Sequence, residues 1–229
     1  MKRIAVLIPS RDRPEQLLDA CRSVLETSIA ADVLVYVDDD QRDIYEPALV
    51  VAEFGPRVKA MYGPRVGPVA SANMLVEFSP EYSTYGLITD DSRMTVWGWD
   101  AWALDALDYF PGRIGIINPY HNLGGHVDMP FVSREWIDII GWYACPEMYH
   151  YCWPILTGLI GEQTAICHAP EKSFALAHSR LHPLPEEAQD ADIAKFFRVV
   201  VRGLPLYVAS LRDALTTAQD GAATPQGAR

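Results

Sequence analysis

Asp90 and Asp91 stand side by side where an apolar run ends, in the stretch YGLITDDSRMTVWGWD (85–100). Adjacent carboxylates repel one another, so two of them fixed at the end of a buried strand call for a positive partner. A hard divalent cation such as Mg2+ or Mn2+ is one such partner. It takes oxygen ligands and needs only one or two protein carboxylates beside the phosphate oxygens of a bound nucleotide. An N-cap pair for the helix that follows is the alternative, because Asp is favoured at that position. A second acidic group, Asp38 to Asp40, closes the run VLVYV (33–37). Carboxylates at such an edge can accept hydrogen bonds from a ribose hydroxyl or a nucleobase N–H. Taken singly each also reads as a solvated turn residue; as a group they favour a ligand. Arg11 and Arg13 in PSRDRP, and Arg65 in YGPRVGP, add guanidinium groups that match phosphate oxygens two at a time, with glycines that let backbone approach a ligand. Each arginine on its own also reads as a surface residue.

These groups need a scaffold that brings them to one edge. IAVLI (4–8) and VLVYV (33–37) are short apolar runs rich in β-branched residues, which predicts strands buried on both faces. Between them, PEQLLDACRSVLET places Leu17, Leu18, Cys21, Val24 and Leu25 at helical spacing behind a first-turn proline. The pattern continues with a helix near 44–54, a strand near 57–61, a helix near 69–78 and a strand near 85–89. Strands alternating with helices in this way predict an α/β fold with a mainly parallel central sheet flanked by helices. In such sheets ligands bind beyond the carboxyl ends of the strands, which is where the polar punctuation falls.

The second half is less regular. Residues 98–110 read as a helix, 113–118 as a strand, 131–142 as a strand entering a helix, and 143–154 as an aromatic pocket wall or mobile loop. FALAH (174–178) reads as a final strand, 193–215 as one or two helices broken near Gly203 and Pro205, and the segment from about 219 as a disordered tail. The chain therefore reads as a single unit over 1–218, with halves dividing near residue 110 and C-terminal helices from about 186.

With 49% hydrophobic and 21% charged residues the composition is that of a globular protein. A net charge of −11 opposes a broad nonspecific nucleic-acid surface, though not a local basic groove. The longest apolar runs fall short of the roughly 18 residues of a membrane span, and the start reads as strand rather than signal peptide, which places the chain in the cytoplasm. The four cysteines lack CxxC spacing and read as reduced, packed thiols.

In order and spacing, IAVLIPSRDRP, VYVDDD, GPRVGPVASAN and LITDDSRMTVWGWD resemble the GT-A (Rossmann-like) glycosyltransferases of the family 2 type, in particular small phage-borne and actinobacterial members. The resemblance covers about residues 3–110 closely and 127–183 loosely. It implies that Pro9, Ser10 and Arg11 line a nucleobase and ribose pocket, that Asp38 or Asp39 contacts the base or ribose, and that Asn73 lies near the donor. It sets Asp90 and Asp91 in place of the family's Asp-x-Asp metal motif, with Ser92 where the second carboxylate of that motif stands. Asp91 is then the metal ligand, and Asp90 stays with the donor. A late histidine often completes the site in this fold, and His178 fits better than His182. The general base, an Asp or Glu at a helix start in the second half of inverting members, maps onto Glu147, with His150 as second choice. Among the aromatics, Trp99 is expected to pack, and Trp142 or Tyr149 to lie nearer an acceptor.

The function implied is transfer of a sugar from a UDP- or GDP-sugar, with Mn2+ or Mg2+, to an acceptor hydroxyl. A hydroxymethylated base in DNA is one candidate acceptor; a small molecule, a polysaccharide or a protein hydroxyl is equally admissible. A noncatalytic nucleotide-sugar binder is the alternative. A sugar-nucleotide pyrophosphorylase ranks lower, because PSRDRP stands where a Gly-rich signature belongs.

Overall fold

The computed structural model describes residues 3–119, 127–150, 152–169, 173–177 and 186–223, with backbone alone for 176–177, 186–189 and 222–223. Along the chain run β1 (Ile4–Ser10), α1 (Pro14–Thr27), β2 (Asp32–Asp38), α2 (Arg42–Val51), β3 (Val58–Gly63), α3 (Pro68–Phe78), β4 (Thr84–Leu87), β5 (Ser92–Met94) and α4 (Trp99–Asp108). They are followed by β6 (Ile116–Ile117), β7 (Phe131–Ser133), α5 (Arg134–Ile140), α6 (Trp153–Thr164), β8 (Cys167–His168), β9 (Ala175–Ala177), α7 (Glu186–Arg202) and α8 (Leu204–Ala223).

Among the described residues, seven strands form a mostly parallel sheet in the order β3-β2-β1-β4-β7-β6-β8, while β5 and β9 pair separately. β1 pairs in parallel with β2 and β4, β2 with β3, and β7 is the antiparallel strand. Register aligns the carboxyl ends: Ser10 lies beside Val37, and Asp38 beside Gly63. β4 stops at Leu87, but Ile88 N still donates to Leu7 O, so Thr89 to Asp91 leave the sheet at the same rim.

Strand alternation divides the core into two layers, because successive side chains point to opposite faces. Ala5, Leu7, Leu34 and Tyr36 pack with α3, α5, α6 and α8 on one face. Ile4, Val6, Ile8, Val33, Val35 and Val37 pack with α1, Tyr45, Trp99 and α4 on the other. The four cysteines are free thiols, and burial pushes that of Cys21 up to about 12.

Three segments depart from the sequence pattern. The run 113–118 keeps only Ile116–Ile117 as strand, since residues 111–113 form a 3-10 turn with Gly112 and Arg113 at positive φ. Trp153–Thr164 is a helix that hydrophobic periodicity does not reveal: Leu156, Ile160, Gly158 and Gly161 are all buried, so no polar stripe marks it. Gly158 and Gly161 let it approach closely, because a Cβ there would run into Val127 and into Cys167 and Ile116. Residues 219–223, expected in the tail, continue α8. The C-terminal segment is two helices, parted at Gly203 as the sequence predicts. No helix of the described residues is long and apolar enough to cross a membrane.

Candidate functional site

β1 leaves the sheet between β2 and β4, and its exit turn sends successive arginines to opposite neighbours. Asp12 takes a left-handed conformation (φ 59°) that a short polar side chain tolerates, and its N–H donates to Gln41 Oε1 at 3.2 Å. On one side of that bend, Arg11 turns toward β2. Its Nη1 donates to Asp38 Oδ2 and to Asp40 Oδ1, and its Nη2 to Asp40 Oδ2, each at 2.7 Å. The paired contact with Asp40 is the planar fork that guanidinium and carboxylate make best. Those bonds hold Asp40 below its ordinary pKa, and the charge of Arg65 acts in the same direction; the GPRVGP loop begins at Gly63, which lies beside Asp38 in the sheet.

On the other side, Arg13 turns toward the end of β4. Its Nη1 donates to Asp90 Oδ1 at 3.2 Å and lies 3.8 Å from Asp91 Oδ2. Ser10 Oγ donates to Asp90 Oδ2 at 2.8 Å and shares a 2.9 Å hydrogen bond with the Tyr45 hydroxyl, which also accepts from Arg13 N at 2.8 Å. Asp90 is buried. Burial pushes its carboxyl above the ordinary pKa, opposed by the Ser10 hydrogen bond and the Arg13 charge and reinforced by Asp91. Asp91 is more open; its Oδ1 accepts from Thr89 Oγ1 at 2.5 Å.

A third strand end closes the rim. Tyr36 OH donates to Pro64 O at 2.8 Å across Gly63, where a Cβ would meet the phenol. Arg65 is exposed, and Gly67, at φ 82°, caps α3. The ring of Tyr149 lies against Gly67, so the 143–150 segment leans on the same loop. That segment is tied down twice. Asn73 Oδ1 accepts from Tyr143 N and Ala144 N, and its Nδ2 donates to Ala144 O. From α7, the buried Asp192 accepts from Tyr149 N at 2.9 Å and His150 N at 2.7 Å.

The geometry thus joins Ser10, Arg11, Asp38 and Asp40 with Arg65 nearby, and Ser10, Arg13, Asp90 and Asp91, along one rim with Pro9 in the last turn of β1. It treats four expectations differently. Asp39 pairs with Arg42 at 3.4 Å, one helical turn on, and it is Asp40 that reaches Arg11. Asn73 spends its amide on the backbone of 143–144. Ser92 is fully buried, its hydroxyl hydrogen-bonded to Thr89 Oγ1 at 2.5 Å and 3.5 Å from Met129 Sδ, so it braces the turn that carries Asp91 and presents no open oxygen to a ligand. Trp142 packs edge-on between Trp136 and Tyr207, leaving Tyr149 as the open aromatic of the pair. Trp99 is buried, as expected. Glu147 is exposed on the 143–150 segment, and burial holds the His150 imidazole below its ordinary pKa against the opposing charge of Asp192. His178 lies outside the described residues; the strand leading to it ends with Ala177 opposite Ser92, one residue from Asp91.

Asp40 and Tyr45 are the members that sequence reasoning does not select. Asp40 sits in a visible acidic run, but nothing in the run says which carboxylate faces β1. Tyr45 is a helical aromatic with no local mark of a polar duty.

Among the described residues, no group of three His, Cys, Asp or Glu side chains stands close enough to hold a metal ion alone. The donor set nevertheless suits a hard cation of the Mg2+ or Mn2+ type that brings phosphate oxygens with it, because such ions use one or two carboxylates and Asp91 is partly open at the rim.

No protein-family model and no curated protein matches the sequence. Solved structures do match. A structure of S. aureus TarS, residues 1–349, superposes with a TM-score of 0.61 at 12% identity, covering 89% of this chain and 73% of that one. The same TarS fragment in complex with UDP gives 0.61 at 12% identity over 87% and 71%. The mannosyltransferase PcManGT from Pyrobaculum calidifontis, in complex with GDP-Man and Mn2+, gives 0.59 at 11% identity over 98% and 76%. The fold is the GT-A type of these glycosyltransferases.

Proposed function

We propose that the chain is a nucleotide-sugar-dependent glycosyltransferase. The observation that carries this reading is the convergence of Arg11 with Asp38 and Asp40, and of Arg13 with Ser10, Asp90 and Asp91, beyond the carboxyl ends of β2, β1 and β4. That is where open α/β sheets bind ligands, in a fold whose solved examples include complexes with UDP and with GDP-Man and Mn2+.

In this reading Pro9, Ser10 and Asp38 line the nucleoside, while Arg11, Arg13 and Arg65 face the diphosphate. Asp90 holds Arg13 and Ser10 in place. Asp91, with His178, would hold Mn2+ or Mg2+, which supplies positive charge for the leaving diphosphate. Asp39 and Asn73 serve the donor only indirectly, through the turn and the 143–150 segment that they brace. In the transfer step the acceptor oxygen forms a bond to the anomeric carbon, and the bond from that carbon to the diphosphate oxygen breaks. The electron pair leaves with the nucleoside diphosphate, and the hydroxyl proton passes to Glu147, or to His150 in its place. The acceptor hydroxyl is open to assignment; a hydroxymethylpyrimidine in DNA is one candidate, tested by mass gain of such DNA with each donor. The chain is taken to work in the cytoplasm.

One observation favours a second reading, a nucleotide-sugar binder without chemistry. Ser92 is buried, and Asp38, Asp40 and Asp90 are already engaged by Arg11, Arg13 and Ser10, so Asp91 is the carboxylate of the Asp90–Ser92 stretch left open to a metal. A panel of UDP- and GDP-sugars with Mn2+ decides between them. Glycosyltransfer or donor hydrolysis by the wild type, lost on Asp91→Ala with the fold retained, supports the enzyme. Donor-induced thermal stabilisation with no turnover by the wild type supports the binder, and neither turnover nor stabilisation overturns both.

A further inference from the structure

Arg11 and Arg13 leave the same turn, yet they are held unequally. Arg11 makes three 2.7 Å hydrogen bonds, two of them the paired fork with Asp40. Arg13 makes one of 3.2 Å to Asp90 Oδ1 and a 3.8 Å ion pair with Asp91 Oδ2, beyond hydrogen-bond reach. Its main chain is fixed all the same: the N–H donates to the Tyr45 hydroxyl at 2.8 Å, and the carbonyl accepts from Leu17 N at 3.0 Å in the first turn of α1. Freedom is therefore confined to the side chain, which is 27% exposed. The carboxylates that it faces are unequal too. Asp90 is buried and has the Ser10 hydroxyl on Oδ2, whatever Arg13 does. Asp91 gives Oδ1 to Thr89 Oγ1, which leaves Oδ2, the oxygen that faces Arg13, as the open one.

The Arg13 guanidinium and a cation held by Asp91 thus address the same oxygen, and like charges a few ångströms apart repel. Two carboxylates against one guanidinium leave a single negative charge. A divalent cation overshoots it, and the negative charges of a diphosphate restore the balance. We propose that Arg13 is an exchange residue: it competes with a divalent cation for Asp91, and it gives Asp91 up by taking a phosphate oxygen of the donor while Asp90 keeps hold of it. A guanidinium carries five N–H donors, so Arg13 can serve Asp90 and a phosphate oxygen at once. Arg11, forked onto Asp40, has no such choice. The exchange rests on the nucleotide-sugar reading above and adds to it that cation and diphosphate are taken up together, because the diphosphate draws off the charge that opposes the cation.

Two titrations of the full chain test this. Mn2+ binding without nucleotide is read from the free-ion signal in electron paramagnetic resonance, and UDP and GDP are titrated by calorimetry in Mn2+ sufficient to saturate each variant. Arg13→Gln is expected to bind Mn2+ at least about fivefold more tightly than the wild type, the least that a unit charge about 4 Å away is worth in water. It is expected to bind the nucleotide at least about tenfold more weakly, having lost a charge-assisted hydrogen bond. Arg13→Lys keeps the charge and is expected to stay within about twofold of the wild type for Mn2+. Asp91→Ala added to Arg13→Gln is expected to abolish the gain, with far-UV circular dichroism checking each fold. An Arg13 that merely braces the rim would weaken both ligands when removed, so a loss in both overturns the proposal. So does an unchanged affinity of Arg13→Gln for either ligand, a gain shared by Arg13→Lys, a gain that survives Asp91→Ala, or the absence of Mn2+ binding from both wild type and Arg13→Gln. In each of these cases UDP or GDP binding by the wild type leaves the nucleotide reading standing. A wild type that binds neither UDP nor GDP overturns that reading and the exchange with it.

Discussion

Four residues at the end of β1 do most of the organising. Ser10, Arg11, Asp12 and Arg13 bridge two neighbouring strand ends because a left-handed aspartate reverses the direction of alternate side chains. Residue types made this rim legible: arginines and carboxylates cluster where apolar runs stop, and little else explains such punctuation. Which partner each takes was not legible, because Asp38, Asp39 and Asp40 differ only in the direction their backbone gives them. His150 shows the same limit. The resemblance offers its ring as the second choice of base, and the structure adds that burial disfavours its charged form. A folded-state pKa below the ordinary 6.5 means that the unfolded chain binds the extra proton first as pH falls. The stability tied to the neutral ring is therefore complete above that value and is lost as pH drops through 6.5 toward the folded pKa. Urea titrations of wild type and His150→Gln between pH 8 and pH 5 are expected to converge or cross as pH falls, with the wild type losing the larger share. Parallel pH profiles would mean that the ring titrates as it does in water.

At the scale of elements, periodicity found the strands and helices that are buried on one side or that sit between clear turn signals. It missed α6, whose apolar residues and glycines surround the helix, and it could not pair β9 with β5, since a three-residue antiparallel contact leaves no trace in either segment. The contact between the 143–150 segment and the GPRVGP loop is likewise invisible until Tyr149 is seen against Gly67. That glycine meets two demands at once, a positive φ of 82° and the absence of a Cβ under an aromatic ring. Gly67→Ala is expected to cost about 1–3 kcal/mol by denaturant unfolding, from backbone strain and the displaced ring together. Removing the ring relieves only the second part. In the Tyr149→Ala background, Gly67→Ala should therefore cost measurably less, and a coupling energy indistinguishable from zero would show that the two loops do not bear on each other.

For the whole molecule, the question is whether the two core layers unfold as one. They lie on opposite faces of a shared sheet, with Ile116 in one and Ile117 in the other, and Phe110 packed against both. Trp99 is the centre of the second layer. It stacks on Phe174 at a 5.7 Å centroid distance, meets Phe131 edge-on at 5.3 Å, and donates from Nε1 to Thr27 Oγ1 at 3.2 Å. Truncating a buried tryptophan to alanine costs about 3–5 kcal/mol, a large share of the roughly 5–15 kcal/mol that holds a domain together. Trp136, Trp142 and Trp153 sit in the other layer and report on it separately. Fluorine NMR of fluorotryptophan-labelled Trp99→Ala can follow each of them through a urea titration. If the chain is one cooperative unit, their transitions move to lower urea together with the loss of helical circular dichroism, because neither layer can keep its strands once the other has lost them. If Trp136, Trp142 and Trp153 kept the wild-type midpoint while the rest of the signal melted early, the two core layers would unfold separately, and the shared sheet would not couple them.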